Sequence, residues 1–213
     1  MVKSKRQWQL PNVTTRMQLG DPPDSLYQWR LPIKKTPIEL IRIAETKHPN
    51  PIYWSKLGLN RFDSPSAPLG VYYTGQDFET ALIEVFGDRC VTTKTLNQAD
   101  LQPYSVHTIQ IENVWQVVNL TGKGLSKSGT DANLCTSYNY AVTQKWAIAI
   151  MNHPQKPQGI VYHSRHNPKK LNYALFGDKT RDIQLKVIYK IPLLKHPELF
   201  RTLYAYRVSM IPL

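Results

Sequence analysis

The chain has little with which to staple itself. Only two cysteines, Cys90 and Cys135, occur in 213 residues, with no CxxC pair and no Cys/His cluster. A disulfide framework and a structural zinc site are therefore not expected, and the simplest setting is cytoplasmic with reduced thiols. Long apolar runs are missing too: the longest, Trp146 to Met151, is far too short to cross a bilayer. No apolar stretch follows the basic start MVKSKRQWQLP, so neither a secretory signal nor a membrane role is expected. GxGxxG, P-loop, HExxH and GxSxG patterns are all absent, which leaves nucleotide motors, zincins and α/β-hydrolases unsupported. The six histidines, His163 and His166 included, show no metal-ligand spacing.

Acidic residues are scarce, 15 against 27 Lys and Arg, for a formal net charge of +12. The excess is uneven: residues 1–35 hold seven Lys/Arg against Asp21 and Asp24, and residues 156–190 hold eight against Asp178 and Asp182. Such a field draws phosphate-bearing ligands, nucleic acid among them. No helix-turn-helix, zinc-finger or RNP-like aromatic motif accompanies it, so a solvated basic surface or an acidic protein partner serves equally well.

With 41% hydrophobic and 20% charged residues, the chain reads as globular. A basic arm is expected over 1–36, anchored by Trp8, Tyr27 and Trp29, followed by one domain over 37–213. Around Leu40-Ile41-Arg42-Ile43, Pro37 and Glu39 favour a helix start, whereas the alternation favours a strand; a strand is expected. LGVYYTG, from Leu69 to Gly75, predicts a strand, and Asp77 an N-cap for a helix with Phe78, Ala81, Leu82 and Val85 on its apolar face. Strands are expected from Ser105 onward, in GIVYHS, in DIQLKVIYKI and in TLYAYRVSM, with a loop at GKGLSKSG. The strongest helical pattern starts at Asp131 and puts Leu134, Tyr138, Ala141, Val142, Trp146, Ala149 and Ile150 on one face. Strands gathered around two main helices, without regular βαβ alternation, argue for an α+β fold with compact mixed or antiparallel sheets.

One unit concentrates chemistry. Arg61, the Tyr72–Tyr73 pair and Glu84 sit on a strand-then-helix segment, and Ser164 ends another apparent strand. A guanidinium fork, a carboxylate and a hydroxyl suit an anionic, sugar-bearing substrate. Each residue alone is commoner as packing or surface.

The ordered set IRIA at Arg42, RF at Arg61, GVYYTG, ALIEVF, GIVYHSR and NYALF resembles the RES-domain family over roughly residues 38–190. Tyr73 lies eleven residues before Glu84, as the family's spacing has it. Here Ile41 stands where a tyrosine normally precedes the first arginine, and LNRFD replaces the glycine-rich GGRWN run. The resemblance implies an ADP-ribosyltransferase-like fold and the toxin half of a bacterial toxin–antitoxin pair. It implies consumption of NAD+ as substrate, with no cofactor and with water or inorganic phosphate as acceptor. Glu84, Arg61 and Ser164 would be catalytic, with Glu84 stabilising the oxocarbenium-like centre. Arg42, Tyr73 and Asn172 would bind NAD+, Arg42 joining Arg61 on the pyrophosphate and Tyr73 stacking on the nicotinamide. The implied partner is a cognate, Xre-like antitoxin, and a homodimer stays open. ADP-ribose transfer to a macromolecule, or nucleic-acid binding through the basic arm without catalysis, are the alternatives.

Overall fold

The structure is a computed structural model that describes residues 19–212, so the arm's residues 1–18, Trp8 among them, lie outside the described residues. A 3-10 turn at Asp24–Gln28 leads to β1 (Ile33–Lys35), β2 (Glu39–Glu45), β3 (Gly70–Gly75) and α1 (Phe78–Thr92). Then come β4 (Thr95–Asn97), α2 (Gln98–Leu101), β5 (Tyr104–Ile111) and β6 (Gln116–Leu120). Next are α3 (Lys123–Lys127), α4 (Asn133–Thr136), α5 (Tyr140–Met151), β7 (Gly159–His163) and β8 (Leu171–Gly177). β9 (Leu185–Pro192), α6 (Leu199–Ala205) and β10 (Ser209–Ile211) follow.

Among the described residues, eight strands form one sheet in the order β1-β6-β7-β8-β3-β2-β5-β9, while β4 and β10 pair separately. Among the described strands of the large sheet, only β6 and β7 run parallel. The expected α+β class with mixed sheets is what the chain adopts. Residues 19–36 lie along the body, with Leu26 and Leu31 buried in the core under α5. Tyr27 stacks on His153 in the same region. No helix among the described residues is long and apolar enough to cross a membrane.

Three segments depart from the pattern read in the sequence. GKGLSKSG, expected as a loop, contains the helical turn α3. TLYAYRVSM, expected as a strand, begins in the end of α6 (Thr202–Ala205), because Leu199, Thr202 and Leu203 fall at helical spacing and are buried, and it is strand only at Ser209–Met210, in β10. The helix expected from Asp131 is two helices, broken at Ser137–Asn139. The expected face is mostly kept: Leu134, Trp146, Ala149 and Ile150 are buried and Val142 packs against the core, whereas Tyr138, in the break, is 75% exposed and Ala141 lies outside the core. On α1, likewise, Ile83 and Phe86 are buried while Val85 is half exposed.

The sheet is not continuous at its middle. β2 meets β3 at a single pair, Ile41 opposite Gly75, and the two strands then part. Beyond that point the edge of β3 finds other partners, as buried backbone must. Val71 exchanges both backbone bonds with Ser55, at 2.8 and 2.9 Å, and the Tyr73 carbonyl accepts from Arg42 Nη1 at 2.7 Å. The parting opens a cleft between β2, β3 and α1.

Candidate active-site cleft

Local rules place α1 over the split. Asp77 caps the helix, its carboxylate accepting from the Thr80 backbone N–H at 2.8 Å and from the Thr80 hydroxyl at 2.6 Å. Gly75 permits the short link: a Cβ there would lie 2.7 Å from the Ala81 nitrogen. With the helix start fixed, Glu84 comes down one wall of a cavity of about 520 Å³.

Glu84 is half-buried, and its Oε2 accepts two hydrogen bonds, from Asn172 Nδ2 at 2.7 Å and from Ser164 Oγ at 3.2 Å. Both donors are 1% exposed. Oε1 has no hydrogen-bond partner among the described residues. Asn172 reaches the site because β8 pairs with β3 in a register that sets it opposite Gly75. Ser164 follows the last residue of β7. Two residues 80 and 88 positions from Glu84 thus converge on one carboxylate oxygen.

Arginines line the same cavity. Arg42 lies on the Tyr72 ring, its Cζ 4.7 Å from the centroid, with Nε buried and without a partner among the described residues. Arg61 is 6% exposed and sits 5.4 Å from the Tyr140 ring, with Nη1 donating to the Ser137 carbonyl. The break between α4 and α5 supplies that carbonyl. Arg165, adjacent to Ser164, is a third arginine on the wall. Within the cleft, Thr74 Oγ1 and Asn172 Oδ1 are also buried without partners among the described residues, groups that a polar ligand would satisfy.

Tyr73 has two neighbours that define it. Its hydroxyl accepts from the Phe62 backbone N–H at 2.9 Å and donates to Asp63 at 3.3 Å. Burial, then the Asp63 charge, pushes its pKa well up, so the phenol stays protonated at neutral pH. Burial, followed by the nearby Glu84 charge, does the same to Tyr162 on the cleft wall. Tyr72 faces the opposite side of β3 and is fully buried.

The six residues singled out in the sequence, Arg42, Arg61, Tyr73, Glu84, Ser164 and Asn172, therefore share one neighbourhood; five line the cavity, and Ser164 backs Glu84. Asp63 and the Asp88–Arg165 pair escaped the sequence reading. Asp63, fully buried, gathers Ser55 Oγ at 2.5 Å, the Asn60 N–H at 2.9 Å and the Gly58 N–H at 3.2 Å, which shapes the loop that presents Arg61. A carboxylate two positions from Arg61 was its one available signal.

Fold and site define an α+β protein with an arginine-walled, carboxylate-bearing cleft at the split of its sheet. The RES domain family model matches residues 39–199, and the chain belongs to that family. It is 26% identical over 88 residues to the probable toxin y4kH of Sinorhizobium fredii, covering 41% of this chain and 68% of that one. Its fold is similar to a chain in the crystal structure of the M. tuberculosis MbcT–MbcA toxin–antitoxin complex, with a TM-score of 0.59 and 16% identity over 86% of this chain and 98% of that one.

Proposed function

We propose that the chain is an NAD+-consuming toxin that cleaves the bond between nicotinamide and ribose. One observation carries the reading: a carboxylate oriented by two buried donors stands in a cleft walled by three arginines. Rupture of the bond sends its electron pair to the pyridinium nitrogen, neutral nicotinamide leaves, and positive charge develops on the ribose. A fixed carboxylate stabilises that charge more in the transition state than in the ground state. Ser164 and Asn172 keep Glu84 in place, so little reorganisation accompanies the step. Water or inorganic phosphate then attacks the sugar carbon and gives up a proton. Arg42 and Arg61 suit the pyrophosphate, since a planar guanidinium matches phosphate oxygens.

A cognate antitoxin is part of the same proposal, an Xre-like protein by family resemblance; the structural neighbour was crystallised in a toxin–antitoxin complex. Purified protein is incubated with NAD+, with and without phosphate, and nicotinamide release is followed. Wild type is expected to release nicotinamide and Glu84→Gln to lose most of that activity. If both proteins are equally inert under both conditions, the reading fails.

A further inference from the structure

The turn that carries Ser164 is tied to α1 twice. Ser164 Oγ donates to Glu84 Oε2, and one residue on, Arg165 Nη2 donates to both carboxylate oxygens of Asp88, at 2.7 and 2.8 Å. Glu84 and Asp88 are four residues apart on the helix and so lie one above the other. Two consecutive turn residues on two stacked helix residues fix both the height and the rotation of the turn.

Gly87 sits between those ties. A Cβ there would come within 2.5 Å of the His166 ring, so glycine lets the ring lie flat against α1. His166 Nε2 is 3.1 Å from Arg165 Nε. The arginine nitrogen can only donate, so Nε2 accepts and the ring is neutral in this arrangement. The His166 backbone N–H donates to Ser164 Oγ at 3.3 Å, and the Arg165 guanidinium lies 4.6 Å from the Tyr138 ring centroid. Arg165 Nη1 is buried and has no partner among the described residues, so the contacts named above are the ones seen to hold the side chain.

We propose that Arg165, gripped by Asp88 and His166, is a positioning residue that holds Ser164 against Glu84, and that acid opens the grip by protonating His166. The proposal rests on Glu84 being the catalytic carboxylate. Around the His166 ring stand Arg165 on its own turn, Glu84 and Asp88 on α1, and Arg61 across the cleft. Burial, then the Arg165 charge, keeps its pKa below the ordinary value, so the ring is neutral near pH 7 and charges only as the pH falls. A protonated ring sets a donor against the Arg165 N–H and adds like charge. Asp88, 3.6 Å from Nε2, then pairs with the imidazolium and releases Arg165. Because Asp88 is 66% exposed, the ion pair adds little to overall stability, and the effect falls on rate.

Nicotinamide release is measured across NAD+ concentrations for wild type, Arg165→Gln, Asp88→Asn and the exchanged pair Arg165→Asp with Asp88→Arg. The His166 ring is titrated by NMR in parallel. Each single variant is expected to lose kcat roughly 10- to 100-fold, with KM within about threefold of wild type, and the exchange to recover part of the loss. The acid limb of wild-type kcat follows the His166 titration, which Arg165→Gln moves upward. Unchanged kcat in both single variants, a rise in KM alone, or a His166 titration indifferent to Arg165→Gln overturns the proposal. If wild type never releases nicotinamide, the Glu84 reading fails instead, and the His166 titration alone decides whether the grip exists.

Discussion

Replacing Asn172 by aspartate probes the carboxylate cluster through protons rather than turnover. In the wild type, the Asn172 amide donates to Glu84 Oε2 at 2.7 Å from a site that is 1% exposed. The near-isosteric substitution deletes that donor and brings a second carboxyl against Glu84. Two unit charges at that spacing repel by roughly 6 kcal/mol at an effective dielectric near 20. Holding one proton on a carboxyl of ordinary affinity at pH 8 costs about 5.5 kcal/mol, slightly less. The pair is therefore expected to share a proton across the neutral range. The folded variant then binds one proton more than its unfolded chain, so its stability falls as pH rises, by up to about 1.4 kcal/mol per unit. Between pH 5 and pH 8 the deficit against wild type grows by up to about 4 kcal/mol, or roughly 8–16 °C in Tm for a chain of this size. At pH 5 the shared proton restores a hydrogen bond, and the variant stays within about 2 kcal/mol of wild type. Thermal melts of wild type, Asn172→Asp and Asn172→Ala at both pH values make the comparison. Asn172→Ala loses the bond without adding charge, so its deficit is about 2 kcal/mol and flat with pH. Parallel, pH-independent deficits in both variants would refute the Asn172–Glu84 contact.

Other perturbations test the frame around the cleft. Gly87→Ala forces a methyl against the His166 ring and is expected to cost about 1–3 kcal/mol in a thermal melt; an unchanged Tm would contradict that packing. Asp77→Ala removes the α1 cap and a 2.8 Å contact from Lys170, a loss of about 1–2 kcal/mol near neutral pH. Burial works to raise the Asp77 pKa, but bonds from Lys170 and Thr80 outweigh it and hold the carboxyl low. That contribution is present above the unfolded value near 3.9 and vanishes as pH falls through the folded one. The gap between variant and wild type should therefore close in acid, and a constant gap would refute the assignment. Cys135 is buried and its thiol is pushed up to about 12 by burial, while burial also raises Cys90. Iodoacetamide at pH 8 is expected to label neither until the chain unfolds; rapid labelling of the folded protein would show that the two sites are open.

Much of the strand-to-helix unit was legible because its signals are local. GVYYTG is β-rich, Gly75 and Asp77 punctuate, and the helical pattern follows at once, so β3, the cap and the start of α1 come out close to where they are observed. The Ser137 break was not legible: the residues on either side suit a helix, and the carbonyl that leaves the ladder is taken by Arg61, 76 residues earlier in the chain. The end of α6 was misread because Leu, Tyr and Val suit strands, and only burial of Leu199, Thr202 and Leu203 favours the helix. Val85 was assigned to a core face since hydrophobicity cannot distinguish a core from the wall of a cleft.

By itself the sequence determined which groups are available: an arginine-rich, acid-poor chain with Glu84 on a capped helix and Ser164 ending a strand. Family membership also rests at this level, since order and spacing survive without coordinates. Only the tertiary structure decided what those groups become. The single-pair contact of β2 with β3 opens the cleft, and the β3–β8 register carries Asn172 to Glu84. Two stacked ties then seat the Ser164 turn on α1. Side chains that far apart in sequence acquire a shared role only when backbone pairing, satisfied bond by bond, brings them within hydrogen-bond reach.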